Sequence, residues 1–132
     1  MKFYDSVGPN PRIVRMFMAE KGIEIPKQAV DLRKGENREA EHLKRNPHGQ
    51  MPALELDDGN YVSEITAICE YLEEKHPTPP MIGTTPEERA ECRMWTRRVL
   101  AAVDGSQASA SVAKAAAQVA ADASLPLLVL CV

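Results

Sequence analysis

The stretch NPHGQMPALELDDGNYVSE, residues 46–64, decides the fold because it predicts two strands and the turn between them. Residues 53–56 alternate as a strand does, and Asp58-Gly59 is a strong hairpin-turn pair before a second strand at Tyr61-Val62. Pro52 stands at the start of the first strand, although proline cannot donate a hydrogen bond to a neighbouring strand. The stretch therefore predicts a hairpin that the chain enters through a proline.

The segment before this hairpin predicts a strand, a helix and a second strand. Lys2–Asp5 is the first strand candidate. In SVGPNPRIVRMFMAEKGIE, Asn10 is a suitable N-terminal cap, Pro11 suits the first helical position and Gly22 suits a C-terminal stop. Residues 27–32, KQAVDL, predict the second strand. Together these segments predict a strand–helix–strand unit.

Two further helices complete this part of the chain. The polar stretch KGENREAEHLKRN predicts at most a short helix that Pro47 ends. The stretch SEITAICEYLEEKHP predicts a helix that a capping Ser63 begins and that stops before Pro77. The predicted order β-α-β-α-β-β-α makes an α/β protein with a four-stranded mixed sheet, which is the shape of thioredoxin.

The predicted thioredoxin-like domain covers residues 1–76, and three more segments follow it. Residues 77–86 are a proline-rich linker, and residues 87–98 continue a helix whose first position suits Pro86. Residues 99–132 are rich in Ala and Ser and nearly free of charge. This tail predicts a βαβ-like unit whose elements are Val99–Val103, Ala108–Ala121 and Leu127–Val132.

Charge and composition argue against several classes of protein. The formal net charge is −3 without a basic stripe, which argues against a nucleic-acid partner. The longest apolar run, Leu125–Val132, is too short to cross a bilayer, and the N-terminus lacks the features of a signal peptide. Cys69, Cys92 and Cys131 form neither a metal spacing nor an expected disulfide set, so we expect small core residues. The sequence predicts a cytoplasmic protein with no metal and no membrane partner.

Four strings in residues 1–98 carry a family resemblance: KFYD, PRIVRMFMAEKGIE, NPHGQMPALELDDG and SEITAICEYLEEKHP. They resemble the amino-terminal, thioredoxin-like domain of the glutathione S-transferase family, and PEERAECRMW is similar to the start of that family's helical second domain. The resemblance implies that glutathione is bound as a substrate and that its thiolate is conjugated to a small electrophile.

The resemblance places the glutathione contacts in two segments. It implies a cis bond between Met51 and Pro52, with the main chain of Met51 turned towards the peptide-like ligand and the polar Gln50 beside it. Glu64 and Ile65 stand where the family binds the γ-glutamyl end, at a helix N-terminus whose N–H groups suit a carboxylate and whose Glu suits the ammonium group. The position after Glu64 is usually Ser in the family, so Ile65 departs from the pattern and loses a hydroxyl contact.

Two hydroxyl groups are candidates for the catalytic donor that lowers the pKa of the glutathione thiol beside a helix N-terminus. Tyr4 falls where the tyrosine-type members of the family carry their phenol. Ser6 lies in the loop where serine-type and cysteine-type members place their donor, although their spacing falls nearer residues 8–10. Ser6 is the preferred candidate because aromatic residues often fill the strand position as core, and packing or turn formation is the alternative for both residues.

The tail VLAAVDGSQASASVAKAAAQVAADASLPLLVLCV, residues 99–132, is similar to the opening βαβ of the universal stress protein family. The family's glycine-rich phosphate loop has no counterpart here, which argues against ATP binding. Two resemblances that meet at Arg98-Val99 suggest a recombined, truncated or engineered chain. Three hypotheses follow: a glutathione-binding transferase domain, a chimeric non-enzymatic assembly module, and a weak nucleotide-binding segment. We expect a homo-oligomer such as a dimer, because strands in the tail would need neighbours.

Overall fold

The computed structural model describes residues 1–101, and the chain divides after Met81 into two units, each of which is described by itself. The parts of the predicted βαβ-like tail that follow residue 101 lie outside the described residues. None of the helices within residues 1–101 has the length and apolar character that crossing a bilayer requires.

The first unit contains a mixed sheet, formed within the described residues by four strands. The strands lie in the spatial order β2-β1-β3-β4. β1 pairs in parallel with β2, whereas antiparallel pairing joins β1 to β3 and β3 to β4. The predicted α/β fold with a mixed, thioredoxin-like sheet is therefore confirmed. The strands are β1 (Lys2–Asp5), β2 (Lys27–Ala29), β3 (Ala53–Glu55) and β4 (Tyr61–Ser63).

Helices connect these strands in the predicted order. Within residues 1–101, the first unit has α1 (Pro9–Glu20), α2 (Ala40–Arg45) and α3 (Ile65–Lys75), and the second unit has α4 (Pro86–Ala101). A 3-10 turn, Glu36–Arg38, precedes α2. The short helix before Pro47 and the helix that stops before Pro77 are both confirmed, while β2 ends at Ala29 rather than at residue 32.

Helix α1 begins earlier than predicted. Its N-cap is Gly8, and Pro9 rather than Pro11 occupies the first helical position. Both prolines fit the first turn, because the N–H groups at the start of a helix have no partner within the helix. The predicted start at Pro11 with Asn10 as the cap is therefore wrong.

The end of α1 agrees with the prediction. Gly22 has φ 65°, a conformation that glycine adopts without steric cost. The N–H of Gly22 donates to the Ala19 carbonyl at 3.1 Å, and the N–H of Ile23 donates to the Met18 carbonyl at 2.8 Å. These two bonds close a Schellman motif, which ends the helix.

Successive side chains of β1 enter two different cores because they point to opposite faces of the sheet. Phe3 packs with α1 and α3, while the Tyr4 ring lies edge-on to His42 of α2, with 6.4 Å between ring centroids. Cys69 belongs to the first core, where burial raises the pKa of its thiol to about 12. The first core contains Phe3, Val14, Met18, Ile25, Leu54, Ile68, Cys69 and Leu72, and the second contains Tyr4, Val30, Met51 and Ala53.

The hairpin between β3 and β4 forms as predicted. Gly59 has φ 82°, and the N–H of Leu56 donates to the Asn60 carbonyl at 2.8 Å. The Asp58 carboxylate accepts the N–H of Asn60 at 2.9 Å. The turn therefore uses the Asp-Gly pair in the way that the sequence indicates.

Helix α3 begins differently from the prediction. Ser63 is the last residue of β4, where it pairs with Ala53, so the predicted Ser63 cap is wrong. Glu64 is the N-cap, and no side chain caps the helix. The sheet thus continues up to Ser63, and only Glu64 separates it from the first residue of the helix.

The second unit begins with a capping box. The Thr85 hydroxyl accepts the N–H of Glu88 at 3.2 Å, and the Glu88 carboxylate accepts the N–H of Thr85 at 3.1 Å. Pro86 is the first residue of α4, as predicted. Because α4 runs through Ala101, the predicted strand Val99–Val103 is wrong for its first three residues. Such a short apolar run suits a helix as well as a strand.

A buried ion pair holds residues 79–81, the last segment of the first unit, in place. The Lys21 ammonium lies 2.6 Å from the Glu73 carboxylate and also donates to the Pro79 carbonyl at 2.6 Å. Glu73 accepts the N–H of Met81 at 2.8 Å. The Lys21 and Glu73 side chains are 0% and 6% exposed, so each charge depends on the other for its compensation.

Replacing Lys21 with Met leaves the Glu73 carboxylate buried without its cation, so we expect the free energy of unfolding to fall by about 3–5 kcal/mol. Urea denaturation of the full chain measures the change. The matched control is Lys44→Met, which removes an exposed pair with Glu41 at 3.0 Å and should change stability little. Equal effects of the two substitutions would contradict the interdependence of the buried pair.

Candidate functional site

The pairing of the strands brings the ends of four segments to one edge of the sheet. Tyr4 pairs with Ala53, and Ala53 pairs with Ser63, so these residues form one row. Since β3 runs opposite to its neighbours, the residues after β1, before β3 and after β4 lie at the same end, together with those after β2. Neighbouring strands lie about 4.8 Å apart, so this end spans about 10 Å from β1 to β4, roughly the length of three extended residues.

An open groove lies beside the loop between β1 and α1. Ser6 and Val7 of this loop form part of one wall, and Asp31, Leu32 and Arg33 after β2 form part of another. Val7 and Leu32 are 93% and 43% exposed, so the groove has apolar side chains that the protein does not cover. Ser6 is the member of the predicted site that lines this groove.

Ser6 has an unused hydroxyl group. The residue is 7% exposed, and its Oγ is buried without a hydrogen-bond partner in the described part of the chain. Arg15 holds the surrounding loop, because its guanidinium pairs with the Asp5 carboxylate and donates to the Ser6 carbonyl at 3.3 Å. Buried polar groups normally have hydrogen-bond partners, so the unpaired Ser6 hydroxyl is a candidate for bonding a ligand.

Tyr4 has a different environment. It is 1% exposed, and its hydroxyl donates to the Glu55 carboxylate at 2.7 Å. Burial, followed by this hydrogen bond, raises the pKa of Tyr4 to about 12. The Arg45 guanidinium lies 5.0 Å from the centroid of the ring. The phenol is therefore occupied within the second core, and Tyr4 does not line the groove.

The two helices that begin at this end of the sheet differ in the donors that they offer. At the start of α1, Pro9 and Pro11 have no N–H, which leaves the N–H groups of Gly8 and Asn10. At the start of α3, Ile65, Thr66 and Ala67 all have N–H groups, and the first backbone bond of the helix runs from Ile68 to Glu64 at 3.0 Å. The start of α3 therefore offers more free N–H donors than the start of α1. Free N–H groups at a helix N-terminus attract anions, so α3 is the better anion site of the two.

Glu64 adopts a backbone conformation that is rare for a residue with a side chain. Its φ is 74° and its ψ is 130°, and its side chain is exposed. The half-buried Ile65 packs against the first core, which leaves its main chain at the helix start. Strained backbone of this kind is frequent at ligand-binding sites, so Glu64 is a candidate on structural grounds as well.

The segment before β3 presents main-chain groups. The Met51–Pro52 bond is cis, which confirms the expectation from the sequence. The Met51 side chain lies in the second core, and its N–H has no partner within residues 1–101. Gln50 has an exposed side chain, while its carbonyl accepts a bond from the Asn46 side chain at 2.6 Å.

The structure adds residues that the sequence reasoning missed. Arg15 supports the loop of Ser6, and Asn46 and Asn37 support the loop before Pro52. These roles depend on contacts between segments, so no local pattern indicates them. Among the described residues, no group of three or more His, Cys, Asp or Glu side chains is arranged to hold a metal ion.

Comparison with known proteins indicates one family. The family model described as "Glutathione S-transferase, N-terminal domain" matches residues 7–75. The chain is 42% identical to Glutathione S-transferase 2 of Saccharomyces cerevisiae over 101 residues. This alignment covers 74% of this chain and 43% of the relative. The chain is 39% identical over 82 residues to maleylacetoacetate isomerase of Pseudomonas aeruginosa, covering 61% of this chain and 39% of that protein.

Solved structures give the same result. A glutathione S-transferase domain-containing protein from Marinobacter aquaeolei is 39% identical with a TM-score of 0.73, over 78% of this chain and 54% of that one. Gtt2 from Saccharomyces cerevisiae is 38% identical with a TM-score of 0.73, over 78% of this chain and 51% of that one. The chain thus spans about half, or less, of the length of these four proteins.

The strain at Glu64 predicts an unusual preference for glycine. Relative to Glu64→Ala, we expect Glu64→Gly to raise the free energy of unfolding by about 1 kcal/mol, because only glycine relieves the positive φ. Urea denaturation compares the two variants. At Glu74, an exposed residue inside α3, the same pair of substitutions should give the opposite order. If Glu64→Gly is instead the less stable variant, Glu64 is not strained.

Proposed function

Because the chain belongs to the glutathione S-transferase family, we propose that its first unit, Met1–Met81, binds glutathione. The observation that carries this proposal is the convergence of three groups at one end of the sheet: the Ser6 hydroxyl, the Met51 N–H and the uncapped start of α3. Glutathione is a tripeptide, and the span of about 10 Å between β1 and β4 suits a ligand of that length.

The γ-glutamyl end of glutathione lies at α3 in this proposal. Its carboxylate accepts hydrogen bonds from the N–H groups of Ile65 and Thr66, where the helix dipole also favours a negative charge. Its ammonium group pairs with the exposed Glu64 carboxylate. Gln50 contributes a polar side chain beside the same end. Ile65 supplies only its main chain, because its side chain packs against the first core.

The middle of the ligand lies against the segment before β3. An extended peptide pairs with free main-chain groups as an added strand does, and Met51 presents such an N–H. Pro52 places the chain at the start of β3 without requiring a donor there. The ligand backbone therefore bonds to Met51 while its two ends reach α3 and the groove.

The thiol lies beside Ser6, which is the proposed catalytic donor. A hydrogen bond from the Ser6 hydroxyl stabilises the thiolate, the N–H groups of Gly8 and Asn10 add to it, and the thiol proton leaves to solvent. The thiolate then forms a bond to an electrophilic carbon of a small substrate and displaces its leaving group or adds to it. Tyr4 is the weaker candidate, because its hydroxyl already donates to Glu55.

The activity, the oligomeric state and the location are properties of the whole protein. Conjugation of glutathione to an electrophile, a homo-oligomeric state and a cytoplasmic location are expected of a chain of this family. The assembly-module and nucleotide-binding alternatives depend on residues 99–132, and no described residue favours either of them. The resemblance of that tail to the universal stress protein family stays a prediction.

The binding test uses the full chain and isothermal titration calorimetry with glutathione. We expect wild-type binding, and we expect Glu64→Gln to weaken it by about tenfold or more, because a charge-assisted hydrogen bond to the ammonium group is lost. Glu74→Gln, an exposed change on the same helix, should leave the affinity unchanged. Absence of wild-type binding, or equal affinities of wild type and Glu64→Gln, would contradict the proposed site.

A second test separates Ser6 from Tyr4. In Ser6→Ala, the ultraviolet absorbance of the bound thiolate should appear about 1 pH unit higher than in the wild type, because a hydrogen bond to the thiolate is lost. In Tyr4→Phe, the thiolate absorbance should appear at the same pH as in the wild type. Ser6→Ala should also unfold at no lower urea concentration than the wild type, since it removes a buried hydroxyl without a partner. A shift in Tyr4→Phe alone would assign the role to Tyr4.

A further inference from the structure

The loop between α2 and β3, residues 46–52, is shaped by the side chain of Asn46. Asn46 is 2% exposed, and its Nδ2 donates to the Gln50 carbonyl at 2.6 Å. Its Oδ1 accepts the N–H of His48 at 3.3 Å, and its carbonyl accepts the N–H of Gly49 at 2.9 Å. One buried residue therefore holds three successive members of the loop.

A second contact fixes the middle of this loop. The Asn37 side chain, from the 3-10 turn before α2, donates to the Gly49 carbonyl at 2.7 Å. Gly49 has φ 63°, and a Cβ atom there would lie 2.9 Å from the Asn37 carbonyl oxygen. The loop thus lies so close to the turn that position 49 has room only for glycine. A movement of the loop would disturb the bonds that Asn37 and Asn46 make to it.

The bond from Asn46 to the Gln50 carbonyl also sets the direction of the next N–H. The Gln50–Met51 peptide bond is trans, so its C=O and N–H point in opposite directions. When Asn46 draws the carbonyl into the protein, the Met51 N–H points away from the interior of the loop. That N–H has no partner within residues 1–101, which agrees with a group held ready for a ligand.

We propose that Asn46 is a positioning residue for glutathione: by bonding the Gln50 carbonyl, it orients the Met51 N–H towards the ligand. The inference rests on the proposed function, because it requires that Met51 contacts the bound tripeptide. Asn46 itself does not touch the ligand. Its contribution is to preorganise the peptide plane, so that binding does not have to order the loop.

The test replaces Asn46 with Asp. The two side chains have nearly the same shape, but the Asp carboxyl group gains or loses a proton with pH whereas the Asn amide does not. An ionised carboxylate cannot donate to the Gln50 carbonyl, whereas a protonated one regains an O–H donor. Burial raises the pKa of such a carboxyl group. The titratable or charged groups nearest to position 46 along the chain are His42, Lys44 and Arg45 on α2 and His48 in the loop. Burial, and then the Arg45 charge, lower the pKa of His42, whereas its hydrogen bond to the Gln50 main chain raises it. His42 therefore shares the Gln50 main chain with Asn46, and the Asn46 substitutions test the Asn46 share of that contact.

The probe is S-methylglutathione, which has no thiol proton, titrated into the full chain by calorimetry at about pH 8 and about pH 5.5. We expect Asn46→Asp to bind about tenfold more weakly than the wild type at the higher pH and within about threefold of it at the lower pH. Wild type and Asn60→Asp, a change in the exposed β3–β4 turn, should show no such recovery. Because both proteins keep His42, they also control for effects of its protonation on binding.

Two outcomes overturn the inference while leaving the proposed function in place: Asn46→Asp binds as the wild type does at both pH values, or it binds equally weakly at both. Failure of the wild type to bind S-methylglutathione or glutathione overturns both proposals. If Asn46→Asp does not fold, Asn46→Ser replaces it, because its shorter hydroxyl does not reach the Gln50 carbonyl. This variant should bind about tenfold more weakly at both pH values, and wild-type affinity would overturn the inference.

Discussion

The antiparallel pairing of β3 between β1 and β4 is the constraint on which the rest of the structure depends. The row formed by Tyr4, Ala53 and Ser63 fixes the register of the three strands. That register brings the residues that follow β1, precede β3 and follow β4 to one edge, where the ends of β1 and β4 are about 10 Å apart across the sheet. A slip of one residue would exchange the faces of β3 and move Leu54 out of the first core.

The same pairing explains why the candidate site can consist largely of main-chain groups. Strand and helix ends expose N–H groups that no internal bond uses, and here those ends meet. The side chains of the site then have supporting tasks, such as the Arg15 contact to the Ser6 carbonyl and the Asn46 contact to the Gln50 carbonyl. The positive φ of Glu64 is the cost of beginning a helix directly after a strand.

The sequence predicts the sheet and the helix ends where the signal is local. Gly22 and Asp58-Gly59 act within a few residues, so their roles could be recognised without a structure. Ser63 could not be placed correctly, because its pairing with Ala53 involves a different strand. Val99–Ala101 belong to a helix although their short apolar run also suits a strand. The resemblance indicated Glu64 and Met51, but the bonds of Asn46, Asn37 and Arg15 join distant segments and had no sequence signal.

The most direct measurement of the central claim is a titration of the ¹⁵N-labelled full chain with glutathione, followed by amide chemical shifts. A single glutathione site at this edge of the sheet predicts that the largest shifts occur together at the N–H groups of Ser6, Met51 and Ile65, with one common dissociation constant. Shifts that are absent, or that are confined to residues away from this edge of the sheet, would contradict it.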